Sequence, residues 1–376
     1  MRPKHYANPI AAAGRVESAR LLGRPTLPYK LEYIITFACG SRCRTCNIWK
    51  RYIDDPDKRK EELSPEDLIR SVASARDHVR WVSLTGGEIT DRDDLPDIVE
   101  GIVDAVGDRL SLLQFTTNGI DPDRVEDAFS RVLPMTHKIP TYVTMSLDGI
   151  GPTYERVRGV PDGYNKVMRS MDTLKRLGAD HPSFTTSFQI TLSELNVHEA
   201  DDLFELASEG HERPIVTMAT DALQLTGGKA DIDVRTAGPE VRAALKRLWN
   251  RYPTNGPSDL PPKLHLGLTR QYFKTGEAPL PCVAGHASLT IDAYGQVLQC
   301  DSRDTTLARL QDHDFQIPSM CRSSEFRRAL APLSGCRECW TPCQAYPTLM
   351  HHPTKAVFGY VGAMMRPSAE PPGSKT

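Results

Sequence analysis

Three cysteines fall within one short stretch, Cys39-Gly-Ser-Arg-Cys43-Arg-Thr-Cys46, directly behind the β-branched and aromatic run Leu31-Glu-Tyr-Ile-Ile-Thr-Phe37. The run reads as a strand and the cysteines as the loop that leaves it. Three thiolates on such a loop can hold three irons of a cubane 4Fe-4S cluster. The fourth iron then has no protein ligand and is open to a small molecule. Structural zinc normally takes four closed ligands, usually as two CxxC-type pairs, and this loop supplies three. A disulfide framework fits poorly as well. Three is an odd number, and Met1-Arg-Pro-Lys-His-Tyr has no apolar segment behind it that would read as a secretory signal.

The 376 residues are enough for two domains with their own cores. The 46 basic and 48 acidic side chains nearly cancel. With no basic block or aromatic-basic stripe, a nucleic-acid partner is not expected. No apolar run approaches the length that spans a bilayer, so no membrane partner is expected. The nine cysteines are Cys39, Cys43, Cys46, Cys282, Cys300, Cys321, Cys336, Cys339 and Cys343, with none between Cys46 and Cys282. Scattered structural thiols would not leave that gap; two separate metal-binding regions would. Metal ligands must be thiolates, so a reducing cytoplasm suits both regions.

Residues 1–28 form a polar lead-in, with a short helix from Ala11 to Leu22 stopped before Pro25. From 29 to 225 short apolar runs alternate with amphipathic helices. Strands are expected at Val82 to Thr85, Leu110 to Thr116, Tyr142 to Leu147, Phe184 to Leu192 and Ile215 to Ala219. Ser64-Pro65-Glu66-Asp67 is a helix start, with a Ser cap, Pro at the first position and acids in the first turn. Strand then helix, repeated about six times, implies parallel strands and an α/β fold. About 200 residues suits a partial (β/α)6 TIM-like barrel, with active groups at the C-terminal ends of the strands. Residues 226–274 read as a connector with one helix around Pro239 to Tyr252, 275–346 as a small cysteine-rich module, and 347–376 as a C-terminal segment with a disordered tail.

Three further motifs sit at predicted strand ends. Thr85-Gly86-Gly87-Glu88 follows the second strand, where glycines allow an approach that a Cβ would obstruct. Thr116-Thr117-Asn118-Gly119 ends the third with a turn dipeptide. Met145-Ser146-Leu147-Asp148-Gly149 ends the fourth and leads to Tyr154-Glu155-Arg156-Val157-Arg158-Gly159. Singly, each has a plainer reading: a strand-to-helix turn, a routine Asp-Gly turn, a surface ion pair at Arg158. Together with the C-x3-C-x2-C loop they resemble the radical S-adenosylmethionine (radical SAM) superfamily.

The resemblance implies a 4Fe-4S cluster on Cys39, Cys43 and Cys46, with SAM chelating the open iron. It implies that the backbone of Gly86, Gly87 and Glu88 accepts the SAM amino group. Ser146 would hold the ribose hydroxyls, and Arg158 would lie beside SAM and substrate. Asp148 is a candidate for substrate contact or proton acceptance, and the TNG segment is read as structural. One departure is Thr45, where relatives carry an aromatic residue near adenine; Trp49 or Phe37 would cover that role, with Val216 to Ala219 lining the adenine side.

In the second cysteine region, Ala287 to Leu298 reads as a hairpin turning at Asp292 to Gly295, which brings Cys282 and Cys300 together. Cys336-Arg-Glu-Cys339-Trp-Thr-Pro-Cys343 can complete four thiolates, for a cluster or for zinc. The region resembles the SPASM/Twitch extension of radical SAM enzymes, a β-hairpin plus helix. It lacks the full SPASM cysteine set, which implies one auxiliary 4Fe-4S cluster. Cys282, Cys300, Cys336 and Cys339 are the preferred ligands, with Cys343 able to replace one of the last two. Cys321 stands alone and reads as an ordinary thiol.

As a member, the chain would be an enzyme that reductively cleaves SAM to methionine and a 5′-deoxyadenosyl radical, fed by an external donor such as flavodoxin or ferredoxin. The radical would take hydrogen from a substrate carbon. An auxiliary cluster with all irons ligated could accept the substrate's electron, an oxidoreductase outcome. The first expectation is a small biosynthetic molecule: a sugar, aminocyclitol or nucleoside. A lead-in too short for leader-peptide recognition favours it. The alternatives are a peptide maturase, a radical epimerase using Cys321 to return hydrogen, and a non-catalytic iron-sulfur or zinc module. Arg213, Asp221 and His265 are candidates for approaching the substrate, whereas Met135-Thr-His-Lys and His351-His352 read as exposed polar positions.

Overall fold

The computed structural model describes residues 4–53, 55–209, 213–219, 238–254, 259–300 and 302–357. Six strands carry the barrel: β1 (Lys30–Thr36), β2 (Trp81–Gly86), β3 (Leu112–Thr117), β4 (Thr141–Ser146), β5 (Phe184–Leu192) and β6 (Ile215–Met218). Each pairs in parallel with the next, with registers such as Lys30↔Trp81 and Leu113↔Thr141. Among the described residues the sheet is open, with order β6-β5-β4-β3-β2-β1-β7-β8-β9. The fold is therefore a mixed α/β, partial TIM-like barrel, as expected.

Helices cover the outer face. The Ser64 hydroxyl caps α2 (Pro65–Ser74) by accepting from Asp67 N at 3.2 Å. Leu68 and Val72 of α2 and Ile98, Val99 and Ile102 of α3 (Leu95–Val106) join Leu31, Tyr33, Ile35, Val82 and Leu84 in the main core. Further outer helices are α4 (Pro122–Met135), α5 (Pro152–Arg158), α6 (Gly163–Leu177) and α7 (Ala200–Ala207).

The hairpin expected near 287–298 is present as β7 (Ser288–Ile291) and β8 (Gln296–Cys300), with β9 (Arg303–Arg309) beyond it. It continues the barrel sheet, because β7 pairs in parallel with β1 through Lys30↔Ser288 to Tyr33↔Ile291. That pairing puts the hairpin turn beside the cysteine loop and the hairpin ends at the opposite end of β1. Phe37, Ile34 and Ile48 pack with Ala293 and Leu298. The Tyr294 hydroxyl bonds Tyr52 at 3.3 Å, and Leu63 N bonds Ala293 O at 2.7 Å.

Three helices differ from the sequence expectation. The first runs Lys4–Leu21, longer at its start than foreseen, and buries Ala12, Ala13 and Val16 against Tyr29, Val283 and Ala287. A helix at Leu260–Thr275 occupies part of the supposed connector. Pro261 and Pro262, which obscured it, fall in its first turn, where a missing N–H costs nothing. Cys343 belongs to a third helix, Pro342–His351. The tail from Arg366 lies outside the described residues.

Because β7 shares the barrel's sheet and core, denaturant unfolding of the full chain is expected as one cooperative transition. Leu289→Ala, at a fully buried position, should lower its free energy by about 2–5 kcal/mol. An early, separate transition of the C-terminal strands would contradict this.

Candidate active site

Gly86 and Gly87 have no room for side chains. A Cβ on Gly86, at φ +146°, would lie 2.3 Å from Thr36 O, and one on Gly87 2.0 Å from Ala38 O. The approach is to the chain's own backbone. Gly87 N donates to Thr36 O at 2.8 Å and Glu88 N to Ala38 O at 2.7 Å, so the motif fixes where the cysteine loop leaves β1. The buried Glu88 carboxylate then ties β2 to β3. Its Oε1 accepts from Thr117 Oγ1 (2.7 Å), Thr90 Oγ1 (2.9 Å) and Thr90 N (3.1 Å), and its Oε2 from Asn118 N (2.7 Å). Burial raises its pKa, while these four bonds pull the other way.

Asn118 does more than shape a turn. Its Nδ2 lies 3.6 Å from Cys39 Sγ as a donor, and its Oδ1 accepts from Ile120 N at 2.9 Å. The loop is held on its other side by the end of α5. Arg42 N donates to Arg158 O and Arg44 N to Val157 O, both at 2.9 Å. Gly159 closes α5 in the left-handed region, and a Cβ there would lie 2.4 Å from Arg42 O. Glu62 fixes the loop's start, its Oε1 accepting from Thr36 Oγ1 (2.7 Å), Phe37 N (2.9 Å) and Tyr52 OH (2.6 Å).

Arg158 donates through Nη1 to Asp148 Oδ2 at 2.9 Å, and Asp148 Oδ1 accepts from Thr191 N at 2.8 Å. Both Asp148 oxygens are thus engaged. Arg158 Nε is buried with no partner among the described residues. Burial works against the guanidinium charge, but Cys43, Asp148, Tyr154 and Cys39 around it hold its pKa well up. The thiols feel the opposite balance. Burial, with Glu88 next, pushes Cys39 up to about 11; burial pushes Cys46 up to about 12 and raises Cys43 as well. Loading a metal therefore releases three protons from this loop, and Arg158 favours the thiolates that result.

The second cysteine region forms a cavity lined by Cys282, Cys300, Cys336 and Cys339, with Tyr272 and Arg303. Cys282 N bonds Cys336 O at 2.9 Å, and Ala284 N donates to Cys282 Sγ at 3.4 Å. Cys343 is not among the lining residues; its carbonyl accepts from Lys30 Nζ at 2.8 Å. Among the described residues no three His, Cys, Asp or Glu side chains converge on one metal-sized point. A cubane spreads its ligands over several irons, so it does not require that convergence. The donor sets, three thiols on one loop and four around one cavity, fit iron-sulfur clusters.

Other sequence candidates scatter. Ser146 ends β4, half-buried on the inner face. Cys321 lies in the main core, its thiol pushed up to about 12 by burial. Phe37 lies under the loop against Tyr294, ring centroids 5.4 Å apart, and Trp49 donates to Cys46 O at 3.0 Å. Val216, Met218 and Ala219 belong to the main core. His265 is buried, stacked against Tyr346 and Trp340, and burial lowers its pKa to about 4. Arg213 pairs with Asp259 at 2.5 Å, and Asp221 lies outside the described residues.

The expectation of exposed histidines at 351 and 352 is corrected. Both are buried, and His351 Nε2 lies 2.7 Å from Glu17 Oε2, because the N-terminal helix packs over them. Thr136 is likewise buried, whereas His137 and Lys138 are exposed. Sequence reasoning missed Asn118 as a sulfur donor and Glu62 as a brace. For Asn118 the signal, a polar residue at a strand end, was present but non-specific.

Residues 33–207 match the family model of the Radical SAM superfamily. That superfamily is one whose proteins use SAM and a 4Fe-4S cluster. Among curated proteins, the chain is 27% identical over 198 residues to a "Probable GTP 3′,8-cyclase" of Thermoplasma volcanium, covering 51% of this chain and 53% of that protein. It is 27% identical over 180 residues to the sporulation killing factor maturation protein SkfB of Bacillus subtilis, covering 48% and 39%. The chain thus spans about half the length or less of these two relatives. Among solved structures, anSMEcpe with bound AdoMet and Cp18Cys peptide superposes with TM-score 0.57 at 15% identity, covering 89% of this chain and 99% of that one. That likeness is one of fold. No helix among the described residues is long and apolar enough to cross a membrane.

Two substitutions test the loop's supports. Gly87→Ala should cost about 3 kcal/mol or more in thermal unfolding, since the added methyl meets backbone that cannot yield. Asn118→Ala should leave iron content intact but lower the cluster's midpoint potential by about 40 mV, one net hydrogen bond of about 1 kcal/mol in a one-electron couple. An EPR-monitored redox titration reads that shift.

Proposed function

We propose that the chain is a radical SAM enzyme of the SPASM/Twitch type, with one auxiliary 4Fe-4S cluster, that oxidises or rearranges a small biosynthetic molecule. The carrying observation is the cavity shared by Cys282, Cys300, Cys336 and Cys339, set apart from the Cys39, Cys43 and Cys46 loop. When bound, the two clusters supply electron transfer, one to split SAM into methionine and a 5′-deoxyadenosyl radical, the other to take up the electron an oxidised substrate gives up.

The chain's own residues supply position and charge. With the Gly87 and Glu88 amides committed to β1, this segment offers carbonyl oxygens to the SAM amino group. Arg158, whose Nε has no partner among the described residues, would take the SAM carboxylate, with Asp148 orienting it. Ser146 on the inner face is assigned to the ribose. Cys321, packed among core side chains, is a poor source of returned hydrogen, which favours oxidation over epimerisation. An external flavodoxin or ferredoxin serves as electron donor, in a cytoplasmic setting. The domain division is proposed as above: 1–28, a barrel over 29–225, a connector over 226–274, an auxiliary module over 275–346 and the remaining C-terminal segment.

A second reading, maturation of a ribosomal peptide, draws on the likeness to SkfB and to a structure holding a peptide. A short precursor gene adjacent to this one, and its conversion by the purified enzyme, would favour it.

Iron and sulfide analysis with EPR on the anaerobically reconstituted full chain tests the first reading. About eight irons are expected in the parent and about four after Cys39, Cys43 and Cys46 are changed to Ala, at four per cubane. Four and none would remove the auxiliary cluster and the oxidative mechanism with it.

A further inference from the structure

The four-cysteine cavity is also walled by Ser302, Arg303 and Glu338. Cys300 and Arg303 are direct partners across β8 and β9. Directly opposed residues of an antiparallel pair put their side chains on the same face, so the Arg303 guanidinium shares a face with the Cys300 thiol. Its Nη2 is ion-paired with Oε1 of Glu338, which stands between Cys336 and Cys339 in the chain. The Glu338 hydrogen bond raises the Arg303 pKa, burial opposes the rise, and Cys336 and Cys300 add to it. The Ser302 Oγ is buried with no hydrogen-bond partner among the described residues.

Stability does not explain these groups. The Glu338 side chain is 65% exposed and that of Arg303 37%, and an ion pair so open to solvent contributes little. The loop has other supports. Cys282 N donates to Cys336 O at 2.9 Å, Ala278 N to Arg337 O at 2.7 Å, and Tyr272 OH to Glu338 O at 3.1 Å. An unsatisfied buried hydroxyl is a cost, which a sulfur acceptor in the cavity would remove. A cation and a hydroxyl donor at the wall of a thiolate cavity instead supply a field. Hydrogen bonds to sulfur and nearby charge set iron-sulfur reduction potentials, because reduction adds an electron to a group that is already negative.

We infer that Ser302 and Arg303 tune the auxiliary cluster toward electron uptake. The hydroxyl donates to a sulfur of the site, and the guanidinium stabilises added negative charge. Glu338 holds the guanidinium at the rim and limits its effect. The inference rests on the auxiliary-cluster reading above. The two charges act in opposite directions. Loss of the Arg303 charge leaves Glu338 uncompensated beside Cys336 and Cys339 and makes reduction harder. Loss of the Glu338 charge leaves Arg303 uncompensated and makes reduction easier. A merely structural ion pair has no such asymmetry, since either substitution weakens the same contact.

The full chain with Cys39, Cys43 and Cys46 changed to Ala, reconstituted anaerobically, leaves one cluster signal for an EPR-monitored redox titration. At a fixed potential, Arg303→Gln in this background is expected to lower the ratio of reduced to oxidised cluster about tenfold, a fall of about 59 mV in the midpoint of a one-electron couple. Ser302→Ala should lower the ratio about fivefold, the worth of one net hydrogen bond. Glu338→Gln should raise it several-fold, and Arg303→Lys, which keeps the charge, should recover most of the loss. Iron content is measured on every variant. A loaded cluster whose midpoint moves the same way in Arg303→Gln and Glu338→Gln, or stays put in Ser302→Ala and Arg303→Gln, would overturn the inference. If Arg303→Gln loads no iron, the opposite shifts of Ser302→Ala and Glu338→Gln decide the matter. A background chain that takes up no iron would overturn the auxiliary-cluster reading itself, and this inference with it.

Discussion

Backbone lies against backbone, with no side chain between, where β2 meets the exit of β1. Everything around the cysteine loop is built on that contact at Gly86 and Gly87. The donated bonds to Thr36 and Ala38 set the direction in which the chain leaves the strand. Glu88, next in sequence, carries the constraint to β3 through Thr117 and Asn118. Asn118 returns it to the loop at the Cys39 sulfur. Two motifs that look independent along the chain form one closed circuit of contacts.

Charge is arranged around the same loop in a layered way. Two buried carboxylates, Glu88 and Asp148, sit near one buried and two partly buried thiols, an unfavourable grouping for anions in a poorly solvated site. Glu88 is relieved by four hydrogen bonds. Asp148 is relieved by a strand amide and by Arg158, whose guanidinium also faces the thiols. Arg158 contributes its carbonyl to hold Arg42 as well. One residue thus positions the loop by its backbone and balances its charge by its side chain.

The C-terminal strands extend this organisation. Since β7 runs parallel to β1, the hairpin turn meets the first cysteine loop while Cys282 and Cys300 fall toward the other end of β1. The two thiol groups are therefore held about one strand length apart, roughly 20 Å for seven residues. The polar inner face lies between them, with Lys30 reaching the Cys343 carbonyl at one end.

The sequence by itself determined the parts whose signals are local. Periodicity of two and of 3.6 marked the strands and most helices, cysteine spacing marked both thiol groups, and turn residues marked the motifs. Local signals failed where prolines opened the helix at Leu260–Thr275 and where a charge pair stood in an apolar run. Lys30 and Glu32 are two apart, so they share one face of a strand, but only the closure of neighbouring strands decides that this face is buried. Tertiary structure alone set the pairing of β7 with β1, the reach of Asn118 to Cys39 and the burial of His351 under the N-terminal helix. Each joins residues from tens to hundreds of positions apart, and no periodicity along a chain encodes which distant surface a side chain will meet.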